Sequence, residues 1–149
     1  MPVCVNMNVK KIFLASDHAG FELKESIKNF LIKKRKKVLD LGTNSSKSVD
    51  YPDFAHRLSK KIKKSDKQLG ILICGSGIGM DMAANRHKNI RAALCYSIKS
   101  ARLSREHNNA NVMTIGSRLT SKNVALKCVG TFIKTNFKGG RHLRRIKKI

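Results

Sequence analysis

Residues Gly70–Met80, GILICGSGIGM, most constrain what this chain folds into. Ile71, Leu72 and Ile73 form a short apolar run that reads as a buried strand. Cys74 ends the run, Gly75-Ser76-Gly77-Ile78-Gly79 follows, and a helical pattern begins at Met80–Asn85. A strand that stops at a thiol and turns through three glycines into a helix presents a nest of backbone N–H groups. Such a nest holds a phosphate or a developing oxyanion without a charged side chain. The turn does not match the established phosphate motifs. A P-loop needs Lys after its last glycine, and Met80 stands there. The dinucleotide fingerprint needs G-x-G-x-x-G with an acidic residue about 20 positions on, and this chain has G-x-G-x-G without one. A cysteine phosphatase loop would place Arg six positions after Cys74, where Met80 sits. The plain alternative is a core thiol followed by a tight turn; a thiol at the mouth of three glycines favours a functional role.

The 149 residues suffice for one domain with a sizeable core, and a single domain over 1–149 is expected. No apolar run is long enough for a membrane helix, and the N-terminus lacks the apolar core of a secretory signal. Residues 1–9 read as an extension in which Met7 is an alternative start. Cys4, Cys74, Cys95 and Cys128 have no C-x-x-C spacing. They read as reduced thiols of a cytoplasmic protein, with neither a disulfide framework nor a metal cluster. The formal charge of +23 would attract polyanions. The excess is largely Lys, spread over helix faces (Lys60, Lys61, Lys63, Lys64) and a block at Lys33–Lys37. No aromatic residues alternate with it as a stacking platform would. Solvated faces account for the charge, and no specific nucleic-acid partner is expected.

In order, Lys11–Ser16 reads as a strand, Phe21–Lys34 as a helix with Leu23, Ile27, Phe30 and Leu31 on one stripe, and Lys37–Leu41 as a strand. A helix follows Asp50-Tyr51-Pro52-Asp53, with Pro52 in its first turn and Phe54, Leu58 and Ile62 on its inner face. After the glycine turn come a strand at Ile90–Cys95, a helix at Ser97–Glu106, a strand at Val112–Ile115 and a helix capped by Ser121 and running to about Phe137. Gly139-Gly140 ends that helix, and residues 139–149 form a basic arm. Five alternations of strand and helix predict an α/β fold: a three-layer, Rossmann-like parallel sheet of order 2-1-3-4-5. The ligand crevice then lies beyond the first and third strands, where Asp17, His18 and the Cys74 turn meet. Asp17 has an alternative role as a helix cap. His56 and His87 show no partner pattern.

The motifs SDHAG (Ser16–Gly20), DYPD (Asp50–Asp53), CGSGIGM (Cys74–Met80), SREHNNANV (Ser104–Val112), GSR (Gly116–Arg118) and GGRHLRRI (Gly139–Ile146) together resemble the ribose-5-phosphate isomerase B family. That family includes allose-6-phosphate isomerase and the galactose-6-phosphate isomerase subunits. The resemblance runs from Lys10 to Ile146. It implies a cofactor-free, metal-free aldose–ketose isomerase working through a cis-enediol. On this sequence it makes Cys74 the base, a role that a thiol at a helix N-terminus suits. The amides of Gly75, Gly77, Ile78 and Gly79 would stabilise the enediolate, and Ser76 would pass a proton between O1 and O2. His107 would open the sugar ring, with Asp17 and Tyr51 near the sugar and Asn108 at the reacting end. His18, Arg118, Arg141 and Arg145 would hold the phosphate, a task suited to the guanidinium fork. Arg144 matches no family position. The resemblance further implies a dimer, or a dimer of dimers, with sites shared between subunits. The preferred expectation is ribose 5-phosphate to ribulose 5-phosphate in the pentose phosphate pathway. Alternatives are a hexose 6-phosphate substrate, or a nucleic-acid- or sugar-phosphate-binding protein without catalysis.

Overall fold

The computed structural model describes residues 11–63 and 67–149. The extension at 1–9, with Cys4 and Met7, and Lys64 lie outside the described residues. Five strands, β1 (Lys11–Ser16), β2 (Val38–Asp40), β3 (Gln68–Cys74), β4 (Ala92–Leu94) and β5 (Val112–Gly116), form one parallel sheet. Helices α1 (Phe21–Lys33), α2 (Tyr51–Lys61), α3 (Ile78–Ala84), α4 (Ile98–Glu106), α5 (Lys122–Lys134) and α6 (Arg141–Ile146) complete the described chain.

Each strand is divided by its period of two. Ile12 and Leu14 of β1, Leu69, Ile71 and Ile73 of β3, and Met113 and Ile115 of β5 pack with Leu23, Ile27 and Leu31 of α1, Ala101 of α4, and Val129 and Phe132 of α5. Phe13, Ala15, Leu72, Cys74 and Val112 face the other way, onto Phe54, Leu58 and Ile62 of the α2 segment and Met80 and Ala84 of α3. Fully burying a side chain of this size contributes about 1.5–3 kcal/mol. The three layers therefore follow from the apolar stripes of the sequence. Local signals hold as well. Ser97 caps α4 in a reciprocal box with Ser100, and the Ser121 hydroxyl accepts from the Val124 amide at 3.3 Å.

The strand order is 2-1-3-5-4, which corrects the expected 2-1-3-4-5. β5 lies between β3 and β4 and is buried along its whole length. β4 is a three-residue edge strand, half-buried throughout. The reason is visible in composition: VMTIG suits a place covered on both faces, whereas Ala92-Ala93-Leu94 offers little to bury. The last long helix also stops earlier than expected, at Lys134, and the basic arm forms its own short helix, α6.

Lys24, on the inner face of α1, has no exposed side-chain surface. Its Nζ lies 2.6 Å from an Asp40 carboxylate oxygen and 2.9 Å from Glu25, while Lys28 reaches the same Asp40 oxygen at 3.0 Å. Burial pushes the Asp40 carboxyl up. The bonds from Lys24, the Gly42 amide and Lys28 outweigh that, so the group sits below its ordinary value. The network ties α1 to the end of β2.

Candidate active site

β1 and β3 run side by side with Ser16 opposite Ile73, so Asp17 and Cys74 leave the sheet together. Cys74 is opposite Gly116 of β5, and Arg118 follows within two residues. The register thus gathers groups from three strand ends. They open into a cleft of about 520 Å³ lined by Asp17, Tyr51, Cys74, Gly75, Ser76, Ile78, Gly79, Met82, Arg118 and Leu119. Of the expected site residues, Asp17, Tyr51, Cys74, Ser76 and Arg118 meet there around the glycine turn.

The turn is built by close approach. Gly77 has φ +79°, and a Cβ there would stand 2.8 Å from the carbonyl carbon of Ile115. Only glycine permits both the left-handed backbone and that contact. The Gly77 amide donates to Cys74 Sγ at 3.1 Å, and the Ile78 amide donates to Ser76 Oγ at 3.2 Å. Two of the expected nest donors are therefore given to the two side chains proposed for proton transfer. Cys74 is almost wholly buried yet lines the cleft.

Asp17 accepts from the Gly20 amide at 3.0 Å through Oδ1, so it braces the turn into α1 while also lining the cleft. The N-cap of α1 is Gly20, without a side-chain cap. The Arg118 amide donates to the Gly75 carbonyl at 3.0 Å, and its Nη1 lies 3.0 Å from where a Cβ of Gly75 would project. That fixes a guanidinium beside the turn. His18 Nδ1 accepts from the Val49 amide at 3.1 Å, which leaves Nε2–H as its donor. Behind the turn, Asp81 of α3 accepts from the Thr114 hydroxyl of β5 at 3.0 Å. Burial pushes the Asp81 carboxyl up, against the bonds from Thr114 and Asn85.

The remaining expected residues stand elsewhere. His107, Asn108 and Arg145 line a second depression of about 260 Å³ with His142, Ile146 and Ile149. Arg141 is exposed on α6. Arg141 and Arg145 are one helical turn apart, as the spacing predicts. Within one chain the expected set is thus divided between two surfaces. Sequence reasoning missed His142, which stacks on His107, and the cleft-lining Met82 and Leu119; no spacing marks them. It also left His56 and His87 without partners, but their ring nitrogens lie 2.7 Å apart. Cys74, Cys95 and Cys128 are free thiols, and among the described residues no group of three His, Cys, Asp or Glu could hold a metal ion.

Comparison with known proteins gives a consistent picture. Residues 12–149 match the family model described as Ribose/Galactose Isomerase. A Mycoplasma genitalium protein named probable ribose-5-phosphate isomerase B is 52% identical over 140 residues, covering 93% of this chain and 92% of that protein. Ribose-5-phosphate isomerase B of Escherichia coli is 40% identical over 141 residues, covering 95% of each. The crystal structure of ribose-5-phosphate isomerase B from Mycoplasma genitalium with bound ribulose-5-phosphate superposes with a TM-score of 0.89 at 51% identity, covering 93% of this chain and 92% of that one.

Proposed function

Because this chain belongs to the ribose/galactose isomerase family, we propose that it interconverts ribose 5-phosphate and ribulose 5-phosphate through a cis-enediol. The observation that carries the reading is the cleft itself. A thiol, a hydroxyl and a ring of amides converge at one strand end, with a guanidinium beside them.

The chemistry needs one base and a place for negative charge. The open-chain aldose presents its C1 aldehyde to the turn. Cys74 takes the proton from C2, and the electrons flow onto the C1 oxygen, which the remaining amides of residues 75–79 stabilise. Ser76 moves a proton from O2 to O1. Cys74 then returns its proton to C1, leaving the carbonyl at C2. Asp17 and Tyr51 hold the sugar hydroxyls, while Arg118 and His18 bind the phosphate. His107 opens the furanose: it gives a proton to the ring oxygen as the C1–O bond breaks, and the C1 hydroxyl passes its own proton to solvent. Asn108 holds the reacting end.

His107, Asn108, Arg141 and Arg145 are read as serving the cleft of a second copy, so that the working unit is a homodimer or a dimer of dimers. Their separation from Cys74 within one chain supports this. The reading takes residues 1–149 as one isomerase domain, with 1–9 an extension and 139–149 the arm. It places the protein in the cytoplasm, a setting that the free cysteines support. It needs no cofactor and no nucleic acid.

The test is a coupled assay of purified protein with ribose 5-phosphate and with allose 6-phosphate. Faster turnover of the pentose supports the reading. Preference for the hexose would move the substrate to allose 6-phosphate, and binding without turnover would make the protein a sugar-phosphate-binding module.

A further inference from the structure

His107 and His142 lie ring on ring, with centroids 4.2 Å apart and planes within 14° of parallel. His107 is the C-cap of α4, its amide donating to Leu103 at 2.9 Å. His142 is in the first turn of α6, its amide donating to Gly139 at 3.1 Å. The stack therefore joins the end of α4 to the start of α6. Among the described residues, no hydrogen bond reaches the ring nitrogens of His107. What fixes the plane of that ring is the face of His142.

The surroundings of the pair are mostly cationic. Arg141 and Arg145 come from α6, and Lys138 comes from the segment before it. The acidic group here is Glu106 of α4, and it is bound to Lys138 at 3.1 Å. Two stacked imidazolium rings repel each other, so a charge on His107 disfavours one on His142. Partial burial, then the His107 ring, then Arg141, Arg145 and Lys138 hold the His142 imidazole below its ordinary range.

We propose that His142 is a positioning residue for His107, fixing the plane of its ring by stacking. The proposal rests on the reading of His107 as the group that opens the sugar ring. Ring opening lies on the ribose side of the reaction alone. Ribose 5-phosphate enters as a furanose. Ribulose 5-phosphate is open-chain, because the oxygen that would close its ring carries the phosphate. Interconversion therefore crosses the ring step in either direction, whereas exchange of the C1 proton of ribulose 5-phosphate with solvent does not.

The experiment measures interconversion, and solvent-deuterium exchange at C1 of ribulose 5-phosphate, for wild type, His142→Leu and His142→Phe. His142→Leu should lose about 100-fold in kcat/KM for interconversion, while its exchange at C1 of ribulose 5-phosphate should stay within about threefold of wild type. His142→Phe keeps a flat ring and should restore interconversion. Separately, the C2–H resonance of His142 is titrated by NMR in wild type and in His107→Asn, where its midpoint should move up toward about 6.5. Equal losses in interconversion and in exchange, or an unimpaired His142→Leu, overturns the positioning role. An unmoved His142 midpoint overturns the contact between the rings. A wild-type protein that isomerises neither sugar refutes the functional reading instead, and the titration then decides the pair alone.

Discussion

The ring of Tyr51 lies against Gly79 so closely that a Cβ on the glycine would stand 2.5 Å from two of its carbons. Tyr51 opens α2 and Gly79 is in the first turn of α3, so this contact sets the width of the cleft between the two helices. Tyr51 is 40% exposed, so it can yield. Gly79→Ala should push the ring outward and lower kcat/KM by roughly tenfold. Alanine favours the helix by about 1 kcal/mol, so the melting temperature should not fall. Unchanged kinetics would remove Tyr51 from the sugar site; a large drop in Tm would mean the strain is borne by the backbone.

Cys74→Ala should abolish isomerisation while leaving sugar-phosphate binding nearly intact. The side chain ends a buried strand and contributes no charge to the phosphate site. Its loss should therefore appear in kcat far more than in KM. Turnover within about tenfold of wild type would exclude the thiol as the base.

Mixing two impaired proteins tests the shared site. Cys74→Ala lesions the cleft, and Arg145→Ala lesions the depression that holds His107. In a mixed dimer one site carries both lesions and the other carries neither. Activity should recover to about half that of a wild-type dimer, by counting sites. Verified heterodimers that remain inactive, or a fully active monomer, would end the shared-site reading.

The Asp40 network predicts a pH dependence of stability. The folded carboxyl sits below its ordinary value, so its stabilisation is complete above the unfolded pKa of about 3.9 and fades as pH falls through the folded one. Asp40→Asn leaves Lys24 buried beside only Glu25, and should cost about 3 kcal/mol at pH 7. The difference from wild type should shrink below about pH 3.9. Urea unfolding at pH 7 and pH 3 measures both, and an equal cost at the two pH values would refute the charge pairing.

The parts of this fold legible in the sequence are those that depend on neighbours along the chain. Leu23, Ile27 and Leu31 announce a helix face, Ser97 and Ser121 announce helix starts, and the run into Cys74 announces a buried strand and its turn. Periodicity says which side of an element is inside; it does not say which element lies beside it. The exchange of β4 and β5 was hidden for that reason, although the contrast between AAL and VMTIG carried the hint. Lys24 adjoins Leu23 and reads as a solvated lysine until Asp40, 16 residues on, is brought to it. The candidate chemistry was legible residue by residue. Its division between two depressions was not, because the separation of His107 from Cys74 depends on the whole intervening chain.

The place of β5 between β3 and β4 also bears on the order in which the chain emerges from the ribosome. Among the described residues β4 pairs only with β5, so residues 92–94 are made about 20 residues before the strand that will hold them. Until then β3 shows an unpaired edge along QLGILIC, an apolar template for other chains. Nascent chains with residues up to about 105 clear of the ribosome should therefore be aggregation-prone and protease-sensitive, and chains with residues past 116 clear of it should lose both traits as the edge is covered. Comparing stalled chains of the two lengths by limited proteolysis would show whether insertion of this one strand closes the sheet during synthesis.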